Sequence, residues 1–348
     1  MLTFMHLSLF SVTWSLYSLL MIKPIITAAC VLLLLLACEG PEREKEPMSI
    51  APESQITVYE APDTSLLGND LYSETVRYGA RLMAHTAYFI GPEGTVSKNL
   101  GNKMNCTNCH LESGTKAFGL NFFDSHRTYP QYRAREDAIL TMSDRVNNCV
   151  TRPHNGIALK LDSKEMTALV TYIKWVGEGY SAEKNEGYGL KPIACDSLRA
   201  DSKRGEAVYI SQCKTCHQAD GQGVMLADNS TYQYPPLWGK KSYQEGSSMH
   251  RVIKAAKFIK YNMPNLMSSS DKPVLSDQEA LDVAAFINDG KIHARPKSPF
   301  KSYLNLKTKP IDYFQGPYAD PYSEDEHAFG PWYKIEKYYA DNGLKVNK

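Results

Sequence analysis

The sequence contains two C-x-x-C-H motifs, at 106–110 and 213–217. This pattern is typical of a c-type haem attachment site, in which both cysteines bind the porphyrin and the histidine binds the iron. With eight Cys and nine His in 348 residues, chance would produce roughly 0.005 matches. Two matches therefore argue against the alternative, a redox or zinc C-x-x-C followed by an unrelated His. The motifs predict two covalently bound haem c groups, attached at Cys106, Cys109, Cys213 and Cys216, with His110 and His217 on the irons.

The first 38 residues are predicted to be an export signal rather than part of the fold. Lys23 opens a short positive segment, and the apolar run after it ends in Leu35-Leu36-Ala37-Cys38. This is the pattern of a bacterial lipobox, after which Cys38 would carry lipid and anchor the protein on the periplasmic side of a membrane. Residues 1–20 contain no Lys or Arg, so Met21 is the expected start. The alternative is an N-terminal membrane span.

The rest of the chain divides into two similar units, each with a helical stretch, a C-x-x-C-H motif, a loop-rich stretch and a closing amphipathic helix. The closing helix begins at Asp162 or Ser163 in the first unit, and Ser276 with Glu279 predicts a capping box in the second. These features predict a mainly α protein with two class I cytochrome c-like domains in tandem and an extended C-terminal tail. The predicted segments are a flexible tether at 39–68, a first haem domain at 69–184, a linker at 185–200, a second haem domain at 201–293 and a tail at 294–348 that packs on both domains.

The second haem needs a distal ligand beyond His217, and Met263 is the strongest candidate. It stands in Tyr261-Asn262-Met263-Pro264, and loop Met ligands with an adjacent Pro are common in class I cytochromes. His/Met ligation raises the reduction potential of a haem. The competing residues are Met225, Met249, Met267 and His250, and the first of these is too close to the motif to reach across the ring.

The first haem has a wider choice of distal ligands. The stretch after His110 offers Met142, Cys149, His126, His154 and Met166. Cys149 and Cys195 are the two cysteines that the signal, lipid and haem assignments leave over. They could form a disulfide with each other, or Cys149 could be free and functional.

Arginine is enriched in the same region, because residues 117–159 contain no Lys but carry Arg127, Arg133, Arg135, Arg145 and Arg152. A guanidinium group can bind an oxyanion through two hydrogen bonds at once. A helix over 138–149 would place Arg145 and Cys149 on one face, because they are four residues apart. The alternative is that these arginines pair with Glu136, Asp137 and Asp144 on a solvated surface.

Longer stretches of sequence carry a family resemblance. They are Gly101-Asn102, Cys106-Thr107-Asn108-Cys109-His110-Leu111, Gly114-Thr115, Tyr129-Pro130-Gln131-Tyr132-Arg133-Ala134-Arg135, Asp144-Arg145 ahead of Cys149, and Gly316-Pro317-Tyr318-Ala319-Asp320-Pro321. Together they closely resemble the dihaem thiosulfate dehydrogenase (tetrathionate-forming) family, over nearly the whole mature chain.

The resemblance implies a catalytic first haem with His110 and Cys149 as its axial pair. It also implies that Arg135 and Arg145 line the substrate pocket, with Lys174 as a weaker candidate. The implied partners are thiosulfate and tetrathionate, with a soluble or membrane-linked electron carrier such as a small cytochrome c. Two positions depart from the family pattern. Pro153-His154 replaces a Ser and a Met, and Asn262 replaces a Lys that in some members can bind the second iron.

Two other functions fit the haem motifs. One is an electron-transfer dihaem cytochrome without its own substrate, which a disulfide between Cys149 and Cys195 would favour. The other is a cytochrome subunit of a larger sulfur-oxidising complex that acts on sulfur bound to a carrier protein. The net charge of +1 argues against nucleic acid as a partner.

Overall fold

The computed structural model describes residues 56–348. The predicted signal segment, the lipidation site at Cys38 and residues 39–55 of the predicted tether lie outside the described residues. Within 56–348, no helix is both long enough and apolar enough to cross a membrane.

The first haem domain is built around two crossing helices. Its helices are α1 (Leu71–Ala84), α2 (Thr86–Ile90), α3 (Leu111–Gly114), α4 (Met142–Thr151) and α5 (Lys164–Val176). The side chain of Ser163 accepts the backbone N–H of Met166, so α5 begins where the sequence predicts. Helices α1 and α5 cross at Gly79, where any side chain would overlap the backbone carbonyl of Ala168. The close crossing buries the apolar faces of both helices in one core.

The second haem domain repeats this plan. Its helices are α6 (Ser202–Gln212), α7 (Lys214–His217), α8 (Val252–Asn262) and α9 (Asp277–Asn288). Helices α6 and α9 cross at Gly205, where a side chain would overlap the carbonyl of Asp282. The predicted capping box is confirmed, because Ser276 Oγ accepts the N–H of Glu279 and the Glu279 carboxylate accepts the N–H of Ser276. The same crossing in both units supports two class I cytochrome c-like domains in tandem.

Strands are short and form three pairs in the described chain. They are β1 (Thr57–Val58) parallel to β4 (Asn185–Glu186), β2 (Gln131–Arg133) antiparallel to β3 (Ala138–Leu140), and β5 (Val224–Met225) antiparallel to β6 (Tyr232–Tyr234). The helix predicted over 138–149 is therefore wrong at its start. Ala138 pairs with Arg133 in the hairpin, and α4 begins only after Thr141, which forms a capping box with Asp144.

The segment before α1 differs from the predicted tether, because its described part packs on the first domain. The hydroxyl of Tyr59 donates to the backbone carbonyl of Val176 at 3.2 Å. Its ring lies edge-on to Phe123, with ring centroids 4.8 Å apart. Together with the pairing of β1 and β4, these contacts make residues 57–59 part of the first domain.

The C-terminal tail contacts both domains, but it is not extended throughout. The backbone N–H of Tyr303 donates to the carbonyl of Arg135 in the first domain at 2.9 Å. Two helices follow, α10 (Glu324–Phe329) and α11 (Tyr333–Asp341). From α11 and the residue before it, Trp332, Ile335 and Tyr339 enter the core of the second domain. The burial of these apolar residues explains why this part of the tail is helical.

A buried ion pair joins α8 to the tail and is expected to contribute strongly to stability. Arg251 Nε donates to Asp312 Oδ1 at 2.7 Å, and both side chains are buried. Asp312→Asn leaves the guanidinium without its counter-charge, so we expect the free energy of unfolding to fall by about 3–5 kcal/mol. Chemical denaturation of the holoprotein measures this change. Asp341→Asn is the control, because its pair with Lys337 is exposed and should contribute less than about 0.5 kcal/mol. Equal losses in the two variants would contradict the prediction.

Candidate functional site

Both motif histidines are oriented through one ring nitrogen. His110 Nδ1 lies 2.5 Å from the backbone carbonyl oxygen of Leu120, and His217 Nδ1 lies 2.8 Å from that of Pro235. Because a carbonyl oxygen only accepts hydrogen bonds, Nδ1 carries the proton in each ring. The other nitrogen, Nε2, then keeps the lone pair that a metal ion requires. Each motif therefore presents a histidine with its tautomer and ring direction already fixed for iron.

A cavity of about 300 Å³ in the first domain lies beside His110. Cys106 and Cys149 also line it, and apolar side chains such as Leu169 and Ile173 complete its walls. Cys109 lines a smaller pocket, which shares His110, Cys106 and Cys149 with the larger cavity. All of these thiols are free. A c-type haem needs two cysteine thiols for attachment, an imidazole for the iron and apolar walls around the ring. The residues of this cavity provide all three, so they fit a haem.

Cys149 reaches the cavity from α4, one turn beyond Arg145. Arg145 Nη1 donates to Cys149 Sγ at 3.0 Å. Burial raises the pKa of the Cys149 thiol, but Arg145 and His110 have the larger combined effect and bring the pKa down to about 6. Burial raises the pKa of Cys106 and Cys109 to about 12. Cys149 is thus the thiol of this cavity that is ionised at neutral pH, and the thiolate is the form that binds iron and attacks sulfur.

The other predicted ligands of the first iron are placed less favourably. Met166 is buried in the domain core, and neither it nor His126 lines the cavity. His154 does line the cavity, but its Nε2 lies 3.9 Å from Cys106 Sγ and its Nδ1 lies 3.3 Å from Asn102 Oδ1. The ring therefore lies against an attachment cysteine. Met142 is a further lining residue, and it carries no charge that would favour ferric iron.

The structure brings together only part of the arginine cluster. Arg145 and Arg133 line the cavity. The guanidinium of Arg135 lies over the ring of Tyr303, 5.9 Å from its centroid, and outside the lining. Arg127 pairs with Asp124 at 2.7 Å and Arg152 pairs with Glu136 at 3.2 Å. The surface-pairing alternative thus holds only in part, because Arg152 pairs with Glu136 as it proposed but is buried, and Arg127 pairs with Asp124, which it did not name. It does not describe Arg145, which has no carboxylate partner among residues 56–348.

The structure does not bring Lys174 to the cavity. This residue is exposed in the last turn of α5. The lysine that lines the cavity is Lys254, from α8 of the second domain. Lys254 is therefore a lining residue that the sequence did not single out, and Arg133 is one that was named in the arginine cluster but not assigned to the pocket. Arg133 had a local signal, because it lies in the arginine-rich stretch 117–159 that contains no Lys, whereas nothing local connects Lys254 with the first domain.

The second site keeps Met263 as the predicted distal ligand. Met263 follows α8 directly and packs with Cys213 against the second-domain core. Among its competitors, Met267 is 66% exposed. His250 has both ring nitrogens 3.2 Å from backbone carbonyl oxygens, those of Glu245 and Asn288. In this structure Met267 is turned towards solvent and both ring nitrogens of His250 lie against carbonyl oxygens, so neither side chain is placed to bind the second iron.

Two further positions bear on the sequence predictions. Asn262 Nδ2 donates to the carbonyl of Phe118 in the first domain at 3.1 Å, so this side chain links the domains. Cys195 is a free thiol, 2% exposed in the second-domain core. Cys149 is also free, so the alternative of a disulfide between the two is not observed.

The fold and the two sites define a c-type cytochrome with two haem domains. Two family models match the chain, the SoxA/TsdA cytochrome c domain at residues 96–181 and the cytochrome c domain at residues 202–291. The chain belongs to the thiosulfate dehydrogenase family. It is 34% identical to the thiosulfate dehydrogenase of Stutzerimonas stutzeri over 69% of this chain and 74% of that one. It is 32% identical to that of Thiomonas intermedia over 79% and 86%, respectively.

A third relative and a solved structure agree in fold and sequence. The thiosulfate dehydrogenase of Psychrobacter arcticus is 35% identical over 226 residues, and the matched part spans 65% of each chain. The structure of the as-isolated thiosulfate dehydrogenase TsdBA from Marichromatium purpuratum matches with a TM-score of 0.64 and 31% identity, over 77% of this chain and 56% of that one. Two cytochrome c domains imply two covalently bound haem c groups, so the predicted fold class and cofactors are confirmed.

Proposed function

We propose that this protein is a dihaem thiosulfate dehydrogenase, which interconverts two thiosulfate ions and one tetrathionate ion and exchanges two electrons with a partner. The observation that carries the proposal is the Cys149 thiolate, 3.0 Å from Arg145 in the cavity beside His110. A cytochrome that only transfers electrons has no need of an ionised, unattached thiol among cations. The relatives are named thiosulfate dehydrogenases, which supports thiosulfate as the substrate.

The cationic wall answers the main physical difficulty of this reaction, which is repulsion between the substrates. Two unit charges 4 Å apart repel by about 1 kcal/mol in water, so two dianions repel by about four times as much, and by more in a cavity. Arg133 and Arg145 line the cavity and offset this repulsion. Their guanidinium groups also align the sulfonate ends of the substrates through paired hydrogen bonds.

Cys149 supplies the nucleophile for a covalent route. Its thiolate forms an S–S bond with the outer sulfur of one thiosulfate dianion, and the pair loses two electrons to give a singly charged Cys149 thiosulfonate adduct. The second thiosulfate attacks the sulfur that Cys149 holds, which releases the tetrathionate dianion and restores the Cys149 thiolate. When bound, the two haems accept the two electrons, one each.

The iron ligands give the two domains different roles. We propose the pairs His110 with Cys149 and His217 with Met263. An anionic thiolate ligand lowers the reduction potential of its haem, and a Met ligand raises it. In the oxidising direction the second domain is therefore the exit for electrons, towards a soluble or membrane-linked carrier such as a small cytochrome c.

We also propose that the protein is anchored by lipid on Cys38 at the periplasmic side of a bacterial membrane. The support is the lipobox sequence that ends at Cys38 and the need to attach haem outside the cytoplasm. Cys38→Ser is expected to move the protein from the membrane fraction to the soluble periplasmic fraction. Continued membrane association of this variant after a high-salt wash would contradict a lipid anchor.

The proposed activity is tested with purified holoprotein in both directions. Thiosulfate with ferricyanide should yield one tetrathionate for every two thiosulfates consumed and two ferricyanides reduced. Tetrathionate with a reduced viologen dye should yield thiosulfate in the reverse ratio. Absence of turnover in both directions would favour the electron-transfer alternative. Turnover that appears only with sulfur bound to a carrier protein would favour a subunit of a larger sulfur-oxidising complex.

A further inference from the structure

Four cations lie on helix α8 of the second domain or directly before it, and they differ in their surroundings. Arg251, just before the helix, is paired with Asp312. Lys260, near its end, is paired with Asp277 at 2.6 Å. Lys254 and Lys257 lie between them, and neither has a hydrogen-bond or ion-pair partner among residues 56–348. Of these two, Lys254 lines the cavity of the first domain and Lys257 does not.

Lys254 extends from the second domain into the wall of the first-domain cavity. It lines this cavity together with Arg133 and Arg145. The far end of α8 is also fixed to the first domain, through the hydrogen bond from Asn262 to the carbonyl of Phe118. The predicted catalytic cavity is thus built from both domains, and α8 forms one of its sides.

The charge balance of the cavity leaves room for an anion. Its lining contains two arginines and Lys254 but no Asp or Glu from the described residues. Burial, and after it the cations Arg251, Lys257 and Arg145, together lower the pKa of Lys254 to about 8 against the opposing effect of Asp312. A half-buried ammonium group among like charges is unfavourable unless an anion joins it. A dianionic substrate would relieve this cost.

We propose that Lys254 binds a sulfonate group of thiosulfate or tetrathionate, so that the second domain completes the substrate site of the first. The inference rests on the proposed function and adds a substrate-binding residue to it. Tetrathionate has a sulfonate at each end, and two bound thiosulfates likewise present two. Arg145 belongs to α4 and Lys254 to α8, so cations from two domains are available for the two anionic groups. The Lys ammonium is a compact point charge, whereas the Arg guanidinium is planar and can donate two parallel hydrogen bonds to one anionic group.

Lys254→Met and Lys254→Arg test this role, with Lys257→Met as the matched control. Lys257 is one turn further along α8, is half-buried, and lies outside the cavity lining. Loss of a charge-assisted hydrogen bond should raise the KM for thiosulfate in Lys254→Met about tenfold to a hundredfold, with kcat within threefold of wild type. Lys254→Arg should recover most of this loss, and Lys257→Met should stay within twofold of wild type.

A binding measurement gives a second readout that is independent of turnover. In fully oxidised Cys149→Ala protein the haems have no electrons to give and no thiolate is present to exchange with tetrathionate, so calorimetry with this ion measures binding alone. In this background Lys254→Met should raise the Kd by about the same factor as it raises the KM of the active protein, at unchanged haem content. Unchanged KM and Kd in a wild-type-active protein would overturn the role of Lys254 and leave the proposed function standing. A shifted first-haem potential with unchanged KM would also overturn it, because Lys254 would then serve a haem carboxylate. Inactive wild-type protein would instead count against the proposed function itself.

Discussion

Replacement of Cys149 by Gly is expected to lower thiosulfate turnover by on the order of a thousandfold or more, because the proposed mechanism uses this one side chain as both nucleophile and iron ligand. The structure supports both roles through the same feature, the thiolate that Arg145 stabilises at 3.0 Å. Without it, no group in the cavity can hold one thiosulfate while the second attacks. The stoichiometric assay with ferricyanide measures the loss in the forward direction, and the viologen assay measures it in reverse.

Spectroscopy separates this prediction from a general loss of structure. Removal of an anionic ligand should abolish the thiolate features of the first haem and raise its reduction potential, while the second haem keeps its own. Gly inside α4 also weakens the helix by about 1 kcal/mol, so Cys149→Ala should be tested beside it and should show the same loss.

The matched control for Cys149 is Cys195→Ala. Cys195 is the other free cysteine outside the haem motifs in the described chain, and it is buried in the second-domain core. Its removal should leave turnover within about twofold of wild type, because Cys195 does not line the cavity. Full activity in Cys149→Gly and Cys149→Ala would refute both roles of Cys149.

The features that the sequence predicted correctly are those set by neighbouring residues. The C-x-x-C-H motifs, the capping box at Ser276 and the spacing of Arg145 and Cys149 each lie within about one helical turn, where local geometry decides the contact. The predicted helix began too early, but Arg145 and Cys149 both lie in α4 and are one turn apart, as predicted. Local sequence signals are thus sufficient to predict the contact between Arg145 and Cys149 on which the proposed site depends.

The lysines show why the rest of the site could not be found in this way. Lys174 shares the exposed face of α5 with Thr167, seven residues earlier, while Leu169 and Ile173 point into the core. This helical pattern is visible in the sequence and argues against a place for Lys174 in the cavity. The position of Lys254 could not be predicted from the sequence, because it depends on how α8 of the second domain packs against the first domain. The helices of the tail likewise depend on a core that Trp332 shares with distant residues.

A loss of at least a hundredfold in kcat/KM for thiosulfate is expected when Arg145 is replaced by Gln, because the guanidinium acts on both Cys149 and the substrate. It donates a hydrogen bond to the thiolate and, together with His110, lowers the pKa of Cys149 to about 6 despite burial. A lost hydrogen bond and a lost positive charge both favour ferric iron, so the potential of the first haem should fall. Arg145→Lys should recover part of the activity, since it keeps the charge without the paired donors. Arg127→Gln is the control, because Arg127 pairs with Asp124 away from the cavity. If Arg145→Gln matched this control in both kcat/KM and first-haem potential, the prediction would be wrong, and Cys149 would react without help from Arg145.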